Sequence, residues 1–311
     1  MAKDASAGMT DSTPRTLSRK RLLSWPFLVL AALVVVGLTA WLLHVWRPAR
    51  RMPPPGWRVQ QMQTREPQHE DDLIPRRVCF TYHDREAIPP RIVDAIAEAC
   101  GDIPFHIFDD TEALQYLAAH FGASFANQFV AFPTGAHKAD LFRYAWLYRE
   151  GGVYCDIKTK FTKAVDKMFP WTTRRAMCTV LSAIVGTIYQ GVLASYAHNP
   201  HLEEALHQME GISPDDLRQH YLLFTQQLYV LLTSAATTAS LLPGWNTLRD
   251  QPLQAVPATT TALLLYTERC HQSCAQRDRY GLCCHIVDQE GVHVCDVRHA
   301  DFPWPSHVDA S

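Results

Sequence analysis

The chain has 311 residues, 47% of them hydrophobic and 19% charged, with a formal net charge of -2. That length suffices for one large globular domain with appendages. The near-neutral balance argues against nucleic acid as a partner, because that role calls for a strongly basic face.

Residues 1–23 are polar, carry Ser, Thr and basic groups, and read as an unstructured cytoplasmic tail. From Trp25 to Trp46 the sequence is almost wholly apolar, broken only by Gly37, Thr39 and His44. A helix there spans roughly 30 Å, the thickness of a bilayer's hydrocarbon core. Trp25, Trp41 and Trp46 lie where interfacial aromatics are favoured. A cleaved signal peptide fits less well: a long polar segment precedes the run, the run exceeds a usual apolar core, and no small-x-small site follows. Residues 24–46 are therefore expected to be a transmembrane signal-anchor. Arg15, Arg19, Lys20 and Arg21 before the span nearly balance Arg47, Arg50, Arg51 and Arg58 after it. The short tail and large C-terminal part favour a single-pass type II orientation.

Residues 47–73, with Pro48, Pro53, Pro54 and Pro55 and a polar run to Asp72, read as an extended stem. The folded unit is expected over 74–311. Arg77 to Tyr82 suits a buried strand, and Pro89-Pro90 opens a helix to about Cys100 with Ile92, Val93, Ile96 and Ala97 at core spacing. Phe105 to Phe108 predicts a strand ending at Asp109-Asp110, and Thr111 starts a helix with Leu114, Leu117 and Ala118 inward. A helix over 137–150 and a strand over 153–158 follow. This alternation implies an α/β fold with a Rossmann-like, mostly parallel sheet and flanking helices. Beyond it, Cys178 to Val185 and Tyr189 to Ser195 predict strands paired around Gly186. Asn199-Pro200 and Ser213-Pro214 each start a helix. The C-terminal third gives no clear pattern.

Chemistry concentrates between His137 and Lys158. Asp140 and Arg143 are three apart and so project from one side of their helix. Gly151 and Gly152 end that helix and reverse the chain. Asp156 then falls near the C-terminal end of a strand, where open α/β sheets bind ligands. An acid, a guanidinium and a second acid in one crevice suit a ligand with sugar hydroxyls and phosphates. Taken alone, Asp140 and Arg143 also fit an ordinary surface pair. Tyr154 reads first as a packing residue, its hydroxyl available for contact. Asp109-Asp110 fits either a nucleotide contact or a turn. Thr81 and Tyr82 border the first strand's end, and His137 reads as a helix-start residue.

Nine cysteines bear on compartment. Cys79, Cys100, Cys155 and Cys178 are dispersed, whereas Cys270, Cys274, Cys283, Cys284 and Cys295 crowd the C-terminus. The cluster reads as local disulfides in an oxidising lumen, ahead of a zinc site with His271, His285, His293 and His299, because no paired CxxC spacing exists. The odd total requires a free thiol or a partner. No Asn-x-Ser/Thr sequon occurs.

The segment Ala136 to Thr159 resembles the core of the DXD-type sugar-binding region of membrane-anchored glycosyltransferases. That group includes fungal initiating mannosyltransferases and animal alpha-1,4-galactosyltransferases, with a more distant likeness to clostridial glucosylating toxins. Ile74-Pro75-Arg76, Lys138-Ala139-Asp140-Leu141-Phe142-Arg143-Tyr144 and Gly151-Gly152-Val153-Tyr154-Cys155-Asp156 carry the resemblance. Tyr189-Gln190-Gly191-Val192, Asn199-Pro200 and Asp301-Phe302-Pro303-Trp304 extend it. The resemblance implies a GT-A fold that transfers a hexose from a nucleoside-diphosphate sugar to a glycan or lipid acceptor, usually with retention. It further implies a type II protein of the secretory pathway, Golgi by location, with its catalytic domain luminal.

By position, Asp140 and Arg143 would hold the donor sugar and its phosphates, with Tyr154, Thr81 and Asp110 as further donor contacts. Asp156 would be the first acid of the DXD pair and the ligand of a divalent cation, Mn²⁺ or Mg²⁺. Trp304 would either cover the donor or anchor the C-terminus. The second acid of the pair is Lys158 here. A protonated lysine cannot ligate a metal, but its ammonium can neutralise phosphate. The expectation is weak or absent metal dependence, with Asp156 and Lys158 as the catalytic pair. Two rivals stay open: a non-catalytic binder of sugar nucleotides or glycans, and a tethered, disulfide-rich interaction module.

Overall fold

The helix carrying Asp140 and Arg143 is enclosed by protein along most of its length. In α3 (Gly135–Glu150) every residue from Asp140 to Leu147 is buried. A helix with no solvent face belongs inside a layered structure, not on its surface. The computed structural model describes residues 72–250, 259–271 and 283–297. All of them belong to one of two units into which the chain divides, residues 59–311. The expected tail (1–23), anchor (24–46), all of the stem up to residue 71, and Trp304 lie outside the described residues. Among the described residues no helix is long and apolar enough to cross a membrane.

The strands are β1 (Val78–Thr81), β2 (Phe105–Phe108), β3 (Gly152–Cys155), β4 (Lys160–Phe161), β5 (Ala176–Leu181), β6 (Ile188–Ser195), β7 (Gly244–Arg249), β8 (Thr260–His271), β9 (Cys283–Val287) and β10 (His293–Asp296). They form one sheet in the order β2-β1-β3-β6-β5-β8-β9-β10-β4, with β7 also paired to β8. The other helices are α1 (Pro90–Cys100), α2 (Asp110–Ala131), α4 (Pro200–Met209), α5 (Pro214–Gln219) and α6 (Leu223–Ala235).

The sheet is mixed, which corrects the expectation of a mostly parallel one. Only β1–β2, β1–β3 and β5–β8 run parallel among the described strands. The pairs β3–β6, β5–β6, β7–β8, β8–β9, β9–β10 and β10–β4 are antiparallel. Strand–helix alternation, the pattern behind the parallel expectation, stops at β3. The link from β5 to β6 is only Ser182 to Thr187, too short for a crossover, so a hairpin forms around Gly186 as the turn residue suggested.

Strand alternation divides the core between the two faces of the sheet. Val78, Phe80, Val153 and Cys155 pack with Ile92, Ile96 and Cys100 of α1 on one face. Cys79 and Tyr154 point the other way, among residues of α2, α3, α4 and α6. Asp156 follows Tyr154 by two, and its carboxylate meets Arg143 of α3.

The helix starts follow their caps. Asp109 accepts from the Glu112 N–H at 2.9 Å and opens α2, so part of the Asp109-Asp110 pair is a cap. Asn199 and Ser213 cap α4 and α5, each followed by a proline at the first helical position.

Cys270 and Cys284 are joined in a disulfide across β8 and β9. Cys283 is disulfide-bonded as well. Cys295 is corrected: it is a free, buried thiol facing the apolar side of the sheet with Val294 and Ile286 nearby. Cys79, Cys100, Cys155 and Cys178 are also free and buried. His271 stacks on His285, and His285 lies against His293, while Cys270 and Cys284 on the same pair of strands are joined in the disulfide.

Candidate functional site around Asp156

Two glycines aim β3 at the site. Gly151 caps α3 through its N–H to the Leu147 carbonyl (2.9 Å), with φ at 66°. Gly152 has φ of 108°, and a Cβ there would lie 2.9 Å from the Arg77 carbonyl oxygen. Both positions therefore need glycine, for conformation and for close approach. The turn between them returns the chain antiparallel to β6 and parallel to β1. Asp156 leaves the end of β3 directly over α3.

The Asp156 carboxylate is gripped from several sides. Its Oδ1 lies 3.3 Å from Arg143 Nη2 and accepts a hydrogen bond from the Tyr154 hydroxyl at 3.2 Å. Its Oδ2 lies 3.6 Å from Lys158 Nζ. Arg143 Nη2 is also 3.3 Å from Asp140 Oδ1, and its Nε donates to the Ala139 carbonyl at 3.1 Å. The guanidinium stacks over the Tyr154 ring, 4.4 Å from its centroid. Asp140 is 8% exposed and Arg143 4%, so the surface-pair reading fails. Backbone bonds fix the carboxylate's base: the Asp156 N–H donates to the Gly191 carbonyl (2.8 Å), and the Asp156 carbonyl accepts from the Thr159 N–H (2.9 Å).

The two acids are set apart electrostatically. Burial raises the Asp140 carboxyl to about 7, against the opposing pull of Arg143. Burial also acts to raise Asp156, but Arg143, Lys158 and the Tyr154 hydrogen bond outweigh it and hold the carboxyl below its usual range. Burial drives the Tyr154 phenol well up, so it stays a neutral donor. Asp156 is the permanent anion, while Asp140 titrates near neutrality.

A stability consequence follows by linkage. Asp140 binds a proton more tightly folded than unfolded, so its contribution is fully present below the unfolded value of about 4 and is lost as pH rises through about 7. Asp140→Asn removes that loss. Relative to the native chain, the variant gains stability as pH rises from 4 to 8, on the order of a few kcal/mol. Denaturant melts of both chains across that range check it; parallel pH profiles would contradict it.

Of the other expected residues, Thr81 shares a 2.9 Å hydrogen bond with Tyr154, which places the end of β1 beside the site. Asp110 is committed to Lys138 Nζ at 2.8 Å, two residues before Asp140 on α3. His137 bonds the Thr134 cap and the Tyr221 carbonyl, as befits a helix-start residue.

Sequence reasoning did not place Tyr189 and Gly191 in the site. A Cβ on Gly191 would lie 2.2 Å from the Tyr189 hydroxyl and 2.8 Å from Asp156 Oδ2. The missing side chain is what admits both groups. The buried Tyr189 hydroxyl, Thr159 Oγ1 and Gln190 side-chain amide make no hydrogen bond among the described residues. The motif Tyr189-Gln190-Gly191-Val192 was the available signal, but nothing in it fixed the register to β3.

Residues 76–174 match the family of glycosyltransferase sugar-binding regions containing a DXD motif. The matched segment holds Asp140, Arg143, Tyr154, Asp156 and Lys158. No curated protein matches the chain. Among solved structures, one titled "PaToxG Glycosyltransferase" is similar at 14% identity and a TM-score of 0.37, covering 52% of this chain and 70% of that one.

The family's motif implies a divalent cation, and the residues here fit one poorly. Asp156 offers Oδ2 alone, with an ammonium 3.6 Å away, and the position of the second acid is a lysine. Asp140 is buried behind Arg143. Mg²⁺ and Mn²⁺ favour several oxygen ligands in open coordination. Among the described residues, the one group close enough to share an ion is Glu268, Cys270 and Cys284, whose sulfurs form the disulfide.

Proposed function

We propose that this chain is a glycosyltransferase that binds a nucleoside-diphosphate sugar over Asp156 and transfers its hexose to a glycan or lipid acceptor. The observation that carries the reading is a largely enclosed carboxylate, held ionised at a strand end by Arg143, Tyr154 and Lys158 within the segment that matches the sugar-binding family. Asp156 would accept from a sugar hydroxyl, and Lys158 would face the diphosphate. Arg143, buried and shared between both acids, acts as a positioning residue. In the reaction, the bond from the sugar's anomeric carbon to the diphosphate oxygen breaks and a bond to the acceptor hydroxyl forms. The acceptor's proton leaves with the diphosphate, which accords with retention.

The proposal extends to a type II anchor at residues 24–46 and a luminal Golgi domain. The Cys270–Cys284 disulfide supports an oxidising compartment. A second reading, donor binding without turnover, draws on Lys158 in place of the acid. Release of free sugar from a panel of UDP- and GDP-sugars, with and without acceptor glycans, separates the two. Turnover by the native chain and none by Asp156→Asn supports the transferase; binding with no turnover on any acceptor supports the second reading.

A further inference from the structure

We infer that Lys158 is a built-in cation for the donor's diphosphate, so that this site binds its nucleotide without a divalent metal ion. The inference rests on the nucleotide-sugar reading above. The turn that presents Lys158 is fixed at both ends: the Asp156 N–H bonds the Gly191 carbonyl, and the Thr159 N–H bonds the Asp156 carbonyl. Between them Ile157 is 5% exposed and pins the turn to the core. Lys158 therefore springs from a rigid base, while its side chain stays 43% exposed at the mouth of the site.

The position of that ammonium is where a metal's charge would be needed. Asp156 Oδ1 is already engaged by Arg143 and Tyr154, and Oδ2 faces Lys158 Nζ. A divalent ion at Oδ2 would sit against one cation and close to a second, and among the described residues Asp156 belongs to no group of three side chains close enough to share an ion. A diphosphate meets the reverse situation. Its oxygens can take the ammonium as a charge-assisted donor, at a site whose two basic groups balance its two acids.

The test uses the purified full chain and two exposed-site variants, Lys158→Asp and Lys158→Gln. Titration calorimetry with a panel of nucleoside diphosphates (UDP, GDP, ADP and CDP) is run in EDTA and in Mn²⁺, and Mn²⁺ binding is read separately by electron paramagnetic resonance. The native chain is expected to bind one diphosphate equally in both buffers and to bind no Mn²⁺ by itself. Lys158→Gln is expected to lose about tenfold or more in diphosphate affinity, the value of one charged hydrogen bond. Lys158→Asp is expected to gain Mn²⁺ binding and to bind the diphosphate only with the metal. Native binding that requires Mn²⁺, or unchanged affinity in Lys158→Gln, overturns this inference and leaves the transferase reading standing. Failure of the native chain to bind any diphosphate in either buffer overturns both.

Discussion

Replacing Asp156 with Asn is expected to lower kcat/KM for sugar transfer by about two to three orders of magnitude, the usual cost of removing one preorganised charged group from a reacting centre. The substitution conserves shape, so Tyr154 and the backbone bonds at 156 keep their partners. What it removes is the fixed anion between Arg143 and Lys158. Two cations then face each other across an amide, and no oxygen with full charge is left to order a sugar hydroxyl. Steady-state kinetics with the best donor from the panel measures the effect. A variant within threefold of the native rate, a gap well under one tenfold step, would mean that Asp156 is structural.

Arg143→Met should produce the largest loss of stability, about 3 to 5 kcal/mol, because it strips the counter-ion from two buried carboxylates at once. The methionine fills much of the volume, so the cost is electrostatic and not a cavity. It should also depend on pH. Without Arg143 the Asp140 carboxyl holds its proton to higher pH, which costs nothing extra near pH 5 but costs stability at pH 8, where the unfolded chain and the native site both favour the ionised form. The melting temperature should therefore fall further at pH 8 than at pH 5, and adding Asp140→Asn should recover part of the loss. An equal loss at both pH values would show that Arg143 contributes by packing over Tyr154 and not by charge.

These two residues also show how far the sequence could be read. The spacing of Asp140 and Arg143, the Gly151-Gly152 stop and the acid after a short apolar strand are local signals, and each sits where local rules put it. Whether the pair was buried could not be told from spacing, since a three-residue offset serves a surface ion pair equally well. Burial comes from α3 being enclosed between the sheet and the helices α2, α4 and α6, a tertiary fact. The same holds for Gly191. It reaches Asp156 through antiparallel pairing of β6 with β3, and the register is set by strands more than thirty residues apart. The parallel expectation failed for a related reason, because β6 inserts beside β3 by a hairpin from β5 and not by a helical crossover.

The C-terminal third was illegible because β8 is a twelve-residue strand buried on both faces through its middle, Leu263 to Tyr266. Such a run has no alternation to betray it. The cysteine pattern was only half readable. Adjacent-strand geometry joins Cys270 to Cys284, while Cys295 faces inward and stays reduced.

A sugar-nucleotide site at the Asp156 carboxylate is best tested by calorimetric titration of UDP- and GDP-sugars into the native full chain and into Asp156→Asn, in metal-free buffer. One donor should bind the native chain and lose at least about tenfold in affinity with the variant. Equal binding to both chains, or none to the native one, would contradict it.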